Sequence, residues 1–504
     1  MSKPEPTPKG PAAPTAELGV LNFADPRRRL LLAGAYPAID GAFAEFQGRV
    51  RCPGVAYGVV VDGQLLHVGG IGVAIPGRGA GVGPDTVFRI ASMTKSITAA
   101  CLLMLRDEGK LGLDDRVDAY IPELAGQLPT SDSAPLTLRQ LLTMSAGLVE
   151  DDPWADRQLA MPADAFSRLL RRGVPFSHPP ATSFEYSNLG YAILGRVLAT
   201  VAGVPAEEFA TARLFRPLGM PDTVWEVADV PQERRAHGYR LVDQEWQEES
   251  PLPGGAFAPM GGLWTTIRDF SRYLALHLAA WPARDDPDPG PLRRSSAREM
   301  QQASRLRPAK LGGSQALAGY GFGLTASEDP RFGRIVAHSG GLPGFGSHVQ
   351  WLPDHGVGVI GFANLTYAPV QQAVDKAFQA LLASGGLVPR AAEPAPALVA
   401  AREAVLRLYQ SWDAEAATAL AADNLFLDRS AELRRQDLSQ LRATHGPCRH
   451  ADPLRPAGAL RGGWRMHCAR GAIDVDLWLS PTTPALVQVL KLTTAAPEMG
   501  LAGA

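Results

Sequence analysis

The stretch RIVAHSGGLPGFGSHVQWLPDHGVGVIGFANL, residues 334–365, constrains the fold more than any other. Two runs, SHVQWLP and VGVIGFANL, flank a turn at Asp354-His355-Gly356 and alternate or run apolar. That is the pattern of central antiparallel strands. A second pair of β-rich runs, GVAYGVVVDGQLLHVGGIGVA (54–74), is joined by Asp62-Gly63, a hairpin signal. The chain therefore has to build an antiparallel sheet from segments nearly three hundred residues apart.

Between these strand blocks the pattern turns helical. Residues 92–108 form one candidate helix, apolar nearly all round through Leu102, Leu103, Met104 and Leu105, with Gly109 as its stop. A helix of that kind is a buried one. The segment 136–148 reads as amphipathic and ends at Gly147, and 190–201 reads as a second buried helix. LPGGAFAPMGGLWTTIRDFSRYLALHL runs from a glycine-rich loop into a helix started by Thr265 or Thr266. Residues 281–296, rich in Pro, Asp and Arg, read as an exposed loop.

Length and composition divide the chain further. At 504 residues it is too long for one small domain. Residues 1–20 are Pro-rich and polar and read as a disordered lead-in. RRRLLLAGAYPAI mimics a leader but begins at residue 27 and is broken by Pro37 and Asp40, so it reads as the first amphipathic helix. A large domain spans 21–387, and a Pro/Ala linker 388–399 follows. Residues 400–504 carry one or two helices and then the strand-like runs GGWRMHCAR, AIDVDLWLS and ALVQVLKLT. That is a small α+β unit, open at this point between a nuclear-transport-factor-like cone, a cystatin-like sheet and part of a lipocalin-like barrel.

The bulk numbers exclude some functions. A net charge of −2 without a long basic run argues against nucleic acid or anionic membrane as a partner. Cys52, Cys101, Cys448 and Cys468 show neither zinc-site nor disulfide-framework spacing. No apolar run reaches transmembrane length. The expectation is a soluble, cytoplasmic protein, with export as the alternative.

Three motifs carry chemistry. Ser92-x-x-Lys95 opens the first buried helix, where positions i and i+3 share a face and the helix dipole favours negative charge. Chance alone gives roughly a third of one such match in a chain with seven lysines, so partners are needed. Tyr186-Ser187-Asn188 is the second motif. A phenol beside an ammonium can be lowered enough to take a serine proton, and an asparagine offers a donor and an acceptor. His338-Ser339-Gly340-Gly341 is the third, a strand with small residues against which a substrate backbone can lie and which can lend an N–H to an oxyanion. His338 could hydrogen-bond or help protonate a leaving group.

In this order and spacing the motifs resemble the serine β-lactamase and penicillin-binding-protein superfamily, most of all its class C-like esterase and peptidase branch. FRIASMTKSITA, LTLRQLLTMSAGL, FEYSNLGYAILGRVLA, LFRPLGMPDT and GGLWTTIRDFSRYL extend the likeness over roughly residues 30–385. The resemblance implies an α+β catalytic domain of two lobes, an antiparallel sheet with flanking helices and an all-α lobe, with the site between them. It implies Ser92 as nucleophile, Lys95 as the group that tunes it, Tyr186 as general base in acylation, and Asn188 orienting substrate and Lys95. The N–H groups of Ser92 and Gly341 would form the oxyanion hole, with no cofactor or metal.

Departures are visible too. His338 stands where class C enzymes place lysine, which puts efficient antibiotic hydrolysis in doubt. Ala181 stands where the pattern usually has glycine, and Met144 and Ala146 where histidine and serine are common. The expected function is a serine hydrolase acting on an ester or a peptide-like amide. Acyl transfer through the same acyl-enzyme and a non-catalytic binding or scaffold protein are the competing readings. The partner is a small-molecule or peptide substrate, with oligomeric state open. His178 reads as a loop residue, and Trp264 and Phe345 as either an apolar acyl pocket or core.

Overall fold

The computed structural model describes residues 21–23, 25–78, 81–307 and 318–495. They fall into two compact units, one of residues 25–389 and one in which 390–495 is joined by 21–23. The lead-in 1–20 lies outside the described residues. The first strand among the described residues, Leu21–Asn22, pairs with Ala391–Ala392 and so groups with the C-terminal unit. The proposed linker is shorter than its composition implies, because a helix begins at Pro396, where proline suits a first helical turn.

The larger unit is built on eight antiparallel strands: β1 (Gly54–Val61), β2 (Gln64–Gly72), β3 (Arg305–Leu306), β4 (Ala318–Tyr320), β5 (Thr325–Asp329), β6 (Gly333–Leu342), β7 (Phe345–Leu352) and β8 (Val357–Ala363). Their order is β2-β1-β8-β7-β6-β5-β4-β3, so the two strand blocks of the sequence meet as the β1–β8 pair. β1, β7 and β8 are buried along their whole length, which is why they read as continuous apolar runs. Edge strand β2 alternates instead.

Five helices matter to the site: α1 (Tyr36–Val50), α2 (Thr94–Asp107), α3 (Asn188–Ala202), α4 (Ile267–Ala279) and α5 (Gln371–Ala383). α1 and α5 share one core with the sheet, where Phe43 stacks on Tyr57 at 4.0 Å beside Val359 and Phe378. α2, α3 and α4 share another, with Ile97, Leu194, Phe270 and Phe362 in one cluster. Burying each such side chain contributes about 1.5–3 kcal/mol. Thr266 caps α4, accepting from the Asp269 N–H.

Some local expectations shift. The RRRLLLAGAYPAI segment splits between Arg28–Ala33 and the start of α1. The 136–148 helix shrinks to Leu138–Leu142, started by a Thr137/Gln140 capping box and ended before Met144, whose φ of 55° cannot continue a right-handed helix. Residues 281–296 lose their last turn to a helix beginning at Arg294. Among the described residues no single helix is long and apolar enough to cross a membrane.

In the smaller unit, α6 (Pro396–Gln410) and α7 (Ala431–His445) share a core with β11 (Arg461–Cys468) and β12 (Gly471–Leu479). β9 (Cys448–Ala451) and β10 (Arg455–Gly458) both pair with β11, and β13 (Val487–Thr494) closes the far edge on β12. Edge strands β9 and β13 do not pair, so among the described residues this is an open sheet under helices and not a barrel.

Candidate active site

Residue register decides where the site lies. β6 pairs with β7 from Val336 to Leu342 but with β5 only from Gly333 to Ala337. Among the described residues, the β5-side edge of 338–342 therefore has no strand partner. That edge opens on a cleft of about 1390 Å³, whose lining includes Ser92, Asp152, Tyr186, Arg307, Tyr320 and His338.

Ser92 sits in a 3₁₀ turn, Ala91–Met93, that leads directly into α2. Ala91 holds a left-handed φ of 50°, a conformation costing an alanine about 1–2 kcal/mol. Such a strained residue persists only where its surroundings enforce it. Here Ile90 is clamped on both sides: its N–H donates to the Leu263 carbonyl at 3.0 Å, and its carbonyl accepts from the Ser347 hydroxyl at 2.8 Å. Ser92 stays partly exposed while Lys95 is fully buried.

The Lys95 ammonium nitrogen donates to three oxygens: Ser92 Oγ at 2.9 Å, Asn188 Oδ1 at 2.6 Å and the Met260 carbonyl at 2.9 Å. It lies 4.9 Å above the Tyr186 ring and 5.8 Å from that of Tyr191. Burial pushes Lys95 down to about 8, and the charges of Asp152, Asp156 and Asp151 oppose the fall. Tyr186 goes the other way. Burial drives its phenol well up, Tyr320 and Asp152 add to the rise, and only a hydrogen bond with Ser92 works against it. Desolvation thus disfavours both charged forms, the Lys95 ammonium and the Tyr186 phenolate.

Asn188 opens α3, where Ser187 is the cap and accepts from the Gly190 N–H. Its amide is oriented by its neighbours, Oδ1 toward Lys95 and Nδ2 donating to Asp152 Oδ1 at 2.6 Å. Asp151 accepts from the backbone N–H groups of Asn188 and Leu189 at 2.7 and 2.8 Å. Asp156 accepts from the Tyr367 hydroxyl at 2.9 Å, and burial raises its carboxyl strongly. Sequence reasoning missed this acidic trio and the Met260 carbonyl. The signal for the trio was there, as three aspartates in EDDPWAD after the LLTMSAGL phrase; the carbonyl left none.

His338 lies on the cleft side of β6. Nδ1 is 2.6 Å from the Ser339 carbonyl, and Nε2 is 3.1 Å from the Tyr320 hydroxyl. A carbonyl only accepts, so these partners assign the proton to Nδ1 and make Nε2 the acceptor. Burial pushes the imidazole down to about 3, with the Lys95 charge adding to the fall, so it is neutral at physiological pH. Ser339 is on the opposite face of β6 from His338 by strand alternation, yet it also lines the cleft, and its hydroxyl meets His348 Nδ1 at 2.8 Å. Gly340 and Gly341 keep β6 close: a Cβ at Gly340 would lie 2.1 Å from the Ile90 carbonyl.

The departures have structural counterparts. Met144 supports the Tyr186 segment, its carbonyl accepting from Glu185 at 2.8 Å and its sulfur from the Ser187 N–H at 3.3 Å. Ala181 adopts a φ of 69°, the conformation a glycine would hold without strain. Trp264 and Phe345 pack edge-to-face at 5.2 Å inside the core, so they do not form an acyl pocket. His178 pairs with Glu185 at 3.1 Å in its loop.

A family model described as Beta-lactamase matches residues 39–384, more than half of the chain. The chain belongs to the Beta-lactamase family. Within this family it is 26% identical to Protein flp of Staphylococcus aureus (strain COL) over 64% of this chain and 62% of that protein's length. It is 25% identical to Penicillin-binding protein 4* of Bacillus subtilis (strain 168), over 64% of this chain and 70% of the relative. The chain therefore spans about three fifths of the length of Protein flp. Two solved structures share the fold. An octameric penicillin-binding protein homologue from Pyrococcus abyssi aligns over 91% of this chain and 93% of its own with a TM-score of 0.61 at 19% identity. D-alanine carboxypeptidase AmpC from Burkholderia cenocepacia aligns over 70% and 99% with a TM-score of 0.57 at 22% identity. The β-lactamase-like α+β fold of sheet and helical lobe is thereby shown.

Proposed function

We propose that this chain is a serine hydrolase that forms an acyl-enzyme on Ser92 from an ester or a peptide-like amide. The observation that carries this is the contact set of the fully buried Lys95, Ser92 Oγ at 2.9 Å and Asn188 Oδ1 at 2.6 Å, with Ser92 itself open to the cleft. A lysine desolvated to about 8 has a useful neutral fraction near physiological pH. Neutral Lys95 takes the Ser92 proton as Oγ attacks the acyl carbon. The oxyanion that develops accepts from the backbone N–H groups of Ser92 and Gly341. When the intermediate collapses, the C–O or C–N bond breaks. The Tyr186 phenol, kept protonated by burial, gives its proton to the leaving group and regains one from Lys95. Water then repeats the sequence on the acyl-enzyme and frees Ser92.

Neutral His338 shapes the wall of the cleft and supplies no cation there. Arg307 is a cation in the cleft lining, on a different element from β6. This supports weak rather than efficient β-lactam hydrolysis. A fluorophosphonate and a penicillin should each add one adduct to the intact protein, mapped to Ser92 by mass spectrometry. Ser92→Ala should lose the adduct and at least about 10³-fold in ester turnover. No adduct on the wild type, with Ser92→Ala unchanged in the same assay, would refute the proposal. Running the ester assay with an added amine separates hydrolysis from acyl transfer by product.

A further inference from the structure

We infer that the C-terminal unit carries a divalent-metal site formed by His450, Asp452 and His467. The three residues come from neighbouring strands. His450 is on β9 directly opposite His467 on β11, and Asp452 follows the end of β9. A register shift between Cys448 and His450 makes this pairing. Cys448 faces Cys468, itself buried in the core, whereas the extra residue at 449 turns His450 outward beside His467. Bulges re-aim side chains in this way.

The ligand atoms cluster within reach of one ion, and because the rings lie parallel one imidazole must rotate to aim its in-plane lone pair at that ion. The imidazole rings stack at 4.2 Å with 3° between their planes. His467 Nε2 is 2.9 Å and His450 Nε2 3.6 Å from the same oxygen, Asp452 Oδ1. All three ligand atoms lie within 4.8 Å of one another. Tetrahedral bonds of about 2.1 Å place neighbouring ligand atoms roughly 3.4 Å apart, a value these distances bracket. A divalent cation satisfies both nitrogens and the carboxylate together.

The frame is held from outside the cluster. The Asp452 N–H donates to the Arg465 carbonyl at 2.8 Å, and Arg402 donates to the Asp452 carbonyl at 2.8 Å. The nearby Arg465 guanidinium is engaged by Asp474 at 2.8 and 3.0 Å, which offsets its charge. His450 is 64% exposed and the other two about a third, so an ion can enter and a water can complete its shell. Two imidazoles and one carboxylate select late first-row ions such as Zn²⁺, Co²⁺ or Ni²⁺ over Mg²⁺ and Ca²⁺. Sequence spacing could not announce the site, because its third ligand lies fifteen residues past Asp452 and is brought in by strand register.

The test uses the tag-free, chelator-stripped full chain, titrated with Co²⁺ and followed by its visible absorption, then competed with Zn²⁺. The expected result is one equivalent of Co²⁺ with a low-symmetry visible band, displaced by Zn²⁺. His467→Ala and Asp452→Asn should each weaken binding by at least about 10–100-fold. His450→Ala, at the most exposed ligand, is a third variant least prone to misfolding. Circular dichroism and ester turnover should be unchanged in all three. No saturable binding by the wild type would overturn the proposal, as would equal stoichiometry and affinity in wild type and well-folded variants.

Discussion

Gly340 is the position where one added carbon should cost the most catalysis for the least change in chemistry. A Cβ there would lie 2.1 Å from the Ile90 carbonyl oxygen, 2.3 Å from Ser347 Oγ and 3.1 Å from the Ala91 Cβ. Ordinary contact needs more than 3 Å, so β6 and the turn before Ser92 must separate by about 1 Å. Neither side yields easily, because Ile90 is bonded to Leu263 and Ser347, and Ala91 is already in a left-handed conformation. A displacement of that size between nucleophile and oxyanion strand costs about 10²-fold in kcat/KM, or about 2.7 kcal/mol on the barrier. Overpacking should also lower folding stability by about 1–3 kcal/mol. Gly341→Ala is the control. Its Cβ would meet the half-exposed Tyr367 ring at 2.8 Å, which can tilt once its hydrogen bond to Asp156 gives, so the loss should stay under about tenfold. The assay is ester hydrolysis by both variants below their melting temperatures, with Tm measured in parallel. If Gly340→Ala keeps kcat/KM within about threefold of wild type, or Gly341→Ala falls as far, the close approach of β6 to the Ser92 turn does not govern turnover.

Two further predictions concern protons. With neutral Lys95 as base, kcat/KM should rise with pH through about 8, and Asp152→Asn should move that limb to lower pH because it removes a charge that favours the ammonium; a limb that stays put, or moves up, assigns the base elsewhere. Burial holds His338 and His277 down to about 3 and His348 to about 4, while an unfolded histidine titrates near 6.5, so the unfolded state binds more protons between those values. Stability present above pH 6.5 should therefore be lost as pH falls toward 4, and His348→Gln should flatten the fall in thermal midpoint over that window. An unchanged slope in that variant would mean His348 is not held neutral in the folded protein.

What the sequence determined by itself was the part of the chemistry carried by local pattern. Ser92-x-x-Lys95 at a helix mouth, Tyr186-x-Asn188 at a helix start and the small residues of 338–341 are fixed by short-range geometry, and the structure brings them to one cleft. The central strands were legible because burial on both faces leaves continuous apolar runs. Left to the tertiary structure was everything set by desolvation and register. Ser92 and Lys95 look the same in sequence whether the lysine is solvated or buried, yet burial is the largest cause that lowers Lys95 and raises Tyr186. The carboxylates behind Asn188, the Met260 carbonyl and the alignment of His450 with His467 come from segments folded over one another. Charge balance in a cleft is a sum over neighbours in space, and the order of residues along the chain does not list those neighbours.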